Sequence, residues 1–200
     1  APQAGAAGAA SPEAAFHCRW AEQVFVEKPV PPEPVSELAL VHEGYPGDTK
    51  IGRCAAGGPL RLGQRVYQRG IGVNSLSVLR VVLDRPAARF VADIGLDRNV
   101  DGTPASSAFH VAVSGKDVFA TKVLRPADGV QKIDVPLAGA RQFDLIVDEG
   151  GDGRGWDQGD WGDARVVLQD GSEMWLDDLA RQWRVAPELP FSFVYGGRPS

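Results

Sequence analysis

The chain contains two cysteines, three histidines and one methionine in 200 residues, and no apolar run near the roughly 20 residues that a membrane helix requires. Cys18 and Cys54 lie far apart and form no CxxC pattern, so neither a zinc knuckle nor a thioredoxin-type redox site is encoded. One disulfide pinning the N-terminal segment and two buried thiols both remain open. His17, His42 and His110 are isolated, without the HxH or HxxxH spacing that would place two imidazoles on one metal. The formal charge of -5 has no cluster of lysine and arginine behind it, which removes the counterion-release basis of nucleic-acid binding. There is no glycine-serine-glycine elbow, no phosphate loop and no strongly amphipathic helix. A charged segment followed by an apolar one, the mark of an intact signal peptide, is missing.

What the chain has in quantity is glycine (24), proline (15) and short apolar runs with turn residues between them. Residues 1–35 read as an Ala/Gly/Pro/Ser-rich disordered leader and a Pro-rich spacer, with one short strand expected around Glu22–Glu27. Strands are expected at Leu38–Val41, Leu76–Leu83, Arg89–Leu96, Ala108–Val113, Val118–Leu124, Val130–Val135, Phe143–Val147 and Ala164–Leu168. Small hairpins are expected at Gly63-Gln64 and around Ser114-Gly115. Turn signals about every ten residues predict an all-β antiparallel sandwich over 36–170. Val91, Ile94, Phe109, Val111, Phe143, Leu145 and Val147 are expected in its core. Residues 171–200 read as a linker, with Met174–Leu179 a short helix or turn. The alternating aromatics Phe191, Phe193 and Tyr195 read as the start of a following, truncated catalytic domain.

The stretch with the most chemistry runs from Asp148 to Ala164, a glycine-rich acidic loop bearing Trp156 and leading into a strand through Asp160 and Trp161. So much glycine is costly to order, and a loop combining glycine, acid and tryptophan is suited to presenting groups at a surface. A sugar has hydroxyls beside an apolar C–H face and needs polar partners next to an aromatic. Asn74, Trp156, Asp157, Gln158 and Asp160 supply that mixture if the loops meet. Asp160 and Trp161 sit at a strand entrance, where capping of loop amides and core packing are the competing roles. Asp97, Asn99 and Asp101 are weak candidates for a structural calcium ion, since hard cations want oxygen donors, but the distal glutamate of a calcium loop is missing. No other cofactor is called for. Asp148, Glu149 and Asp152 are paired acids on an open loop and read as solvated charges, so no catalytic residue is assigned.

The order of motifs resembles the NPCBM family, also called family 51 carbohydrate-binding modules. The resemblance covers about Ser36 to Leu168 and rests on Arg69-Gly70-Ile71-Gly72-Val73, on Arg89-Phe90-Val91-Ala92-Asp93-Ile94-Gly95-Leu96-Asp97, on the Phe109 to Phe119 hairpin and on Asp160-Trp161-Gly162-Asp163-Ala164. It implies a galactose-binding-like jelly roll, usually attached to a secreted, often α-galactosidase-like glycoside hydrolase. Family members typically carry a histidine in each of two motifs where this chain has Asn74 and Gln158, a departure that bears on sugar preference. The function expected is a non-catalytic module, secreted or periplasmic, that brings a catalytic domain in the same chain to glycans with a terminal monosaccharide, a galactoside first. The alternative is a structural buttress that packs on the catalytic domain without binding sugar.

Overall fold

A computed structural model describes residues 35–183 and the short strands at 194–195 and 198–199. The expectations for Cys18, for residues 1–34, and for Phe191, Phe193 and the Tyr195 side chain lie outside the described residues. In chain order the strands are β1 (Glu37–Glu43), β2 (Lys50–Ile51), β3 (Leu60–Leu62), β4 (Arg65–Tyr67), β5 (Gly70–Asn74), β6 (Ser77–Val82), β7 (Ala87–Leu96) and β8 (Phe109–Val113). They continue with β9 (Lys116–Ala120), β10 (Gln131–Pro136), β11 (Gln142–Val147), β12 (Gln158–Leu168), β13 (Glu173–Trp175), β14 (Ala180–Trp183), β15 (Val194–Tyr195) and β16 (Arg198–Pro199). The described residues contain three single-turn 3-10 helices, at Arg98–Val100, Pro126–Asp128 and Leu176–Asp178, and no α-helix.

One sheet has the order β14-β1-β6-β11-β8-β9 and the other β10-β7-β12-β5-β2, with β13 on β12 and β3–β4 as a separate hairpin. The pairings are antiparallel except for β1 with β14. The architecture is the expected antiparallel β-sandwich. Alternation sets its faces, because successive strand side chains point to opposite sides. Along β6, Leu79 and Val81 are buried while Val78, Arg80 and Val82 are partly exposed. The β8–β9 connection turns through Ser114 and Gly115, both with positive φ, which matches the twist of the flanking strands.

The two sheets meet in an aromatic cluster. Trp161 of β12 packs edge-on against Phe109 of β8 and Phe90 of β7, with ring centroids 5.1 and 5.9 Å apart, and Phe90 lies 5.6 Å from Phe143 of β11. Gly159 makes room for it, since a Cβ there would fall 2.8 Å from the Phe109 ring.

Two expectations are corrected. Val91 is only half-buried, because the inward phase of β7 is set by Phe90, Ala92 and Ile94. The sandwich also extends past 170. β13 pairs with β12, Leu176 and Leu179 join the core, and β14 pairs in parallel with β1. Residues 173–183 therefore complete the sandwich, and Trp175 is held between the guanidinium groups of Arg69 and Arg165, 4.9 and 5.3 Å from the ring.

Trp161→Ala should lower unfolding free energy by about 3–5 kcal/mol, read from urea denaturation, because the cavity opens where both sheets touch. A loss below about 1 kcal/mol would show that the sheets are held together elsewhere.

Candidate functional site

β12 pairs with β5 so that Gln158 stands directly opposite Asn74 and Asp160 opposite Gly72. Asn74 and Gln158 are thus cross-strand partners. Asn74 Nδ2 donates to Asp48 Oδ2 at 3.0 Å, and Asn99 Nδ2 donates to Gln158 Oε1 at 2.6 Å and to the buried Cys54 sulfur at 3.7 Å. A row of polar side chains, Asp48, Asn74, Gln158 and Asn99, therefore lies along one end of the sandwich. Both Asn99 amide protons are spent, whereas Gln158 retains its amide donors and Asn74 Oδ1 accepts from no protein donor.

Trp156 precedes this row. Its side chain is 58% exposed and its φ is +70°, a conformation uncommon for a side chain with a Cβ. The loop is fixed on both sides of it. Asp157, 1% exposed, accepts from Ser75 Oγ at 3.0 Å and the Ser106 amide at 2.9 Å, while its carbonyl takes the Ser75 amide. Burial holds the Asp157 carboxyl above the ordinary aspartate range despite those donors. Upstream, Asp152 accepts from Ser106 Oγ and Arg125.

At the loop base Asp148 accepts from the Ala108 and Gly150 amides at 3.0 and 2.9 Å and from His110 Nε2 at 3.0 Å, and His110 Nδ1 lies 2.9 Å from Asp117. A neutral imidazole has one donor nitrogen, so two carboxylate partners favour the imidazolium. Burial works against the His110 charge, but the two carboxylates outweigh it and the pKa is raised. Asp148 and Asp152 are therefore anchors, not the solvated charges expected from sequence.

Asp160 does not reach the surface. It is fully buried against Asp97, and neither of its oxygens takes an N–H or hydroxyl, the Arg61 amide being spent on Asp97 at 2.7 Å. Burial and the adjacent Asp97 carboxylate push the Asp160 pKa well above the ordinary aspartate range, which favours the protonated form of this carboxyl beside Asp97. Loop-amide capping, expected of Asp160, belongs to Asp97, which takes Arg61 N and Asn99 N. Asp97, Asn99 and Asp101 do not form an oxygen cage: Asp97 is spent on amides, Asn99 faces Gln158, and Asp101 is exposed beside Arg98. No cluster of three potential metal-binding side chains occurs among the described residues.

The structure thus brings Asn74, Trp156 and Gln158 to one rim and sets Asp157 and Asp160 behind it as supports. Sequence reading missed Asp48, which stands among turn residues, and gave Asn99 to a metal.

The NPCBM/NEW2 domain family matches residues 34–167, and the chain belongs to it. The domain is accordingly a non-catalytic carbohydrate-binding module. Among solved structures, the second CBM51 of Clostridium perfringens ZmpB is 27% identical with a TM-score of 0.58, and one of its structures holds GlcNAc. The CBM51 of Clostridium perfringens GH95, in complex with methyl-galactose, is 28% identical with a TM-score of 0.57, over 62% of this chain and 90% of that one. A Renibacterium salmoninarum protein named "Putative endo-alpha-N-acetylgalactosaminidase" is 31% identical over 111 residues. The match covers 56% of this chain but only 7% of that protein, and the ZmpB match covers 62% of this chain and 28% of that one.

Two measurements probe the buried groups. A raised pKa means that Asp160 stabilises the fold fully below the unfolded aspartate value of about 3.9, and that this contribution is lost as pH climbs from there through the folded value. Asp160→Asn, which stays neutral and can still donate to Asp97, should be at least as stable as wild type at pH 7, its advantage shrinking toward pH 4 in paired urea titrations. An advantage that does not change with pH would show Asp160 to be ionised in the fold. For His110 the contribution is likewise full below about pH 6.5 and lost as pH rises through the raised folded value. The imidazole should titrate above 6.5 by NMR in wild type and return toward it in Asp148→Asn. A wild-type value below 6.5 would rule out the paired imidazolium.

Proposed function

We propose that this module binds a terminal, uncharged monosaccharide at the rim formed by Asn74, Gln158, Asp48 and Trp156. In this reading it holds an attached, secreted glycoside hydrolase near its glycan. The carrying observation is the exposed Trp156 indole two residues from the Gln158–Asn74 pair, on a loop anchored at both ends. The indole offers the apolar face of a sugar a stacking surface. Gln158 Nε2 donates to hydroxyls and the Asp48 carboxylate accepts from them, with Asn74 Nδ2 holding that carboxylate in place. The carboxylate of Asp48 in this row disfavours an acidic sugar. Asp157 positions the rim and Asp160 supports it from beneath.

Galactosides and N-acetylglucosamine are the first ligands to try, because related modules carry methyl-galactose and GlcNAc. The attached enzyme is inferred from the glycosidase named in the relative, and export from the extracellular glycans such enzymes meet. Tethering raises the concentration of enzyme at substrate without touching the chemical step, so the module needs no catalytic group.

Calorimetry with methyl β-galactoside and GlcNAc should show weak binding, with Trp156→Ala losing about tenfold, or roughly 1–2 kcal/mol. Unchanged affinity in Trp156→Ala would place the site elsewhere. Absence of binding to any arrayed glycan would leave the buttress role.

A further inference from the structure

The β1–β2 loop stands beside the rim and carries a second exposed aromatic. Tyr45 is 43% exposed, and the Arg154 guanidinium lies 5.2 Å from its ring centroid while Nη1 donates to the Gly44 carbonyl at 3.3 Å. Arg154 belongs to the same loop as Trp156, so one arginine joins the two aromatic-bearing loops.

The Tyr45 loop is tied by several hydrogen bonds. Glu43 accepts the Gly47 and Thr49 amides at 2.7 and 2.6 Å, Lys50 Nζ donates to the Gly47 and Ala55 carbonyls, and the Asp48 amide closes a turn on the Tyr45 carbonyl. Gly44 is pressed so closely on the Ser75-Leu76 backbone that a Cβ would fall 2.7 Å from two of its atoms. The turn that holds Tyr45 also holds Asp48, the hydrogen-bond partner of Asn74. Two exposed aromatics, Tyr45 and Trp156, thus stand on the two loops that adjoin one short polar row. A large aromatic held in water on a fully tied turn is costly for solvation alone and is suited to stacking.

We infer that Tyr45 and Arg154 form a second subsite that takes the penultimate sugar of a glycan whose terminal residue occupies the Trp156 rim. The inference rests on the proposed rim site. Tyr45 offers the second ring a face, and Arg154, with donors beyond the one spent on Gly44, reaches its hydroxyls. The ligand class is therefore an oligosaccharide of at least two neutral units.

Calorimetry on the 200-residue chain would compare methyl β-galactoside with N-acetyllactosamine, and GlcNAc with chitobiose. The expected result is a disaccharide that binds about tenfold tighter than its terminal monosaccharide in at least one pair. Tyr45→Ala should abolish that gain while leaving monosaccharide affinity within about twofold. Tyr45→Phe should keep the gain, and Arg154→Gln should lose part of it, with melting temperatures confirming that every variant folds. A wild type that binds both lengths equally, or a Tyr45→Ala variant that keeps the gain, overturns the subsite and leaves the rim standing. Equal weakening of both lengths in Tyr45→Ala reduces the Tyr45–Arg154 contact to a loop staple and overturns the subsite. If neither length binds to wild type, rim and subsite fall together.

Discussion

The contact on which the rest depends is that of Trp161 with Phe90 and Phe109. β12 is the strand through which both β7 and β5 are paired, and Trp161 is its largest inward side chain. Phe109 belongs to the opposite sheet, so one indole fixes the spacing of the sandwich as well as the register of its central strand. Register decides which residues face which way, since a slip of one position would reverse every side chain. With Trp161 facing the core between the sheets, Asp160 and Gln158 must lie on the other face of β12, where Asp160 is covered beside Asp97, and the partner that faces Gln158 must be Asn74. The rim is thus the end of a strand whose phase is set three residues further on.

Around that strand end, three aspartates offset the entropy of a glycine-rich loop by different means. Asp148 gathers two backbone amides and the His110 imidazole at the base, Asp152 meets Ser106 and Arg125 along the side, and Asp157 meets Ser75 and Ser106 at the exit. Ser106 serves both of the latter two, through its hydroxyl and its amide. Trp156 is held in the left-handed region between these anchors, and such a conformation persists where its surroundings over-determine it. A loop backbone held in place before the ligand arrives loses less freedom on binding, which matters where each contact is weak.

Much of the sandwich was legible because alternation and turn residues act locally. The Ser114-Gly115 turn, the Leu60–Tyr67 hairpin and the inward set of Phe109, Val111, Phe143, Leu145 and Val147 follow from neighbouring residues alone. Val91 was placed on the wrong face because the apolar run Phe90-Val91-Ala92 obscures the phase, which the pairing of Ile94 with Trp161 on the neighbouring strand decides. β14 was not legible: Ala180-Arg181-Gln182-Trp183 carries no strand pattern of its own, and its parallel pairing with β1 joins residues about 140 positions apart. At the site, Asn74, Trp156 and Gln158 could be named from residue type and motif position. The pairing of Asp97 with Asp160 could not, since nothing in an aspartate shows that it is buried against a second carboxyl. Asp48 and Tyr45 sit in a turn whose composition suggests only a connector.

An asparagine and a glutamine at facing positions decide how the rim responds to pH. Amides keep both donor and acceptor capacity without titrating, so the row of Asn74, Gln158 and Asn99 presents the same hydrogen-bonding surface in acid and at neutrality. Response to pH then lies in groups behind the rim. His110 and Asp160 both have raised pKa values and both favour the fold at lower pH, whereas Glu43 and Asp148 are held below their ordinary values by backbone amides and weaken the fold when protonated in strong acid. Glu43 secures the Tyr45 turn, and Asp148 with His110 secures the Trp156 loop. The protonation equilibria of Glu43, Asp148 and His110 therefore bear on the two aromatic-bearing loops as well as on the fold.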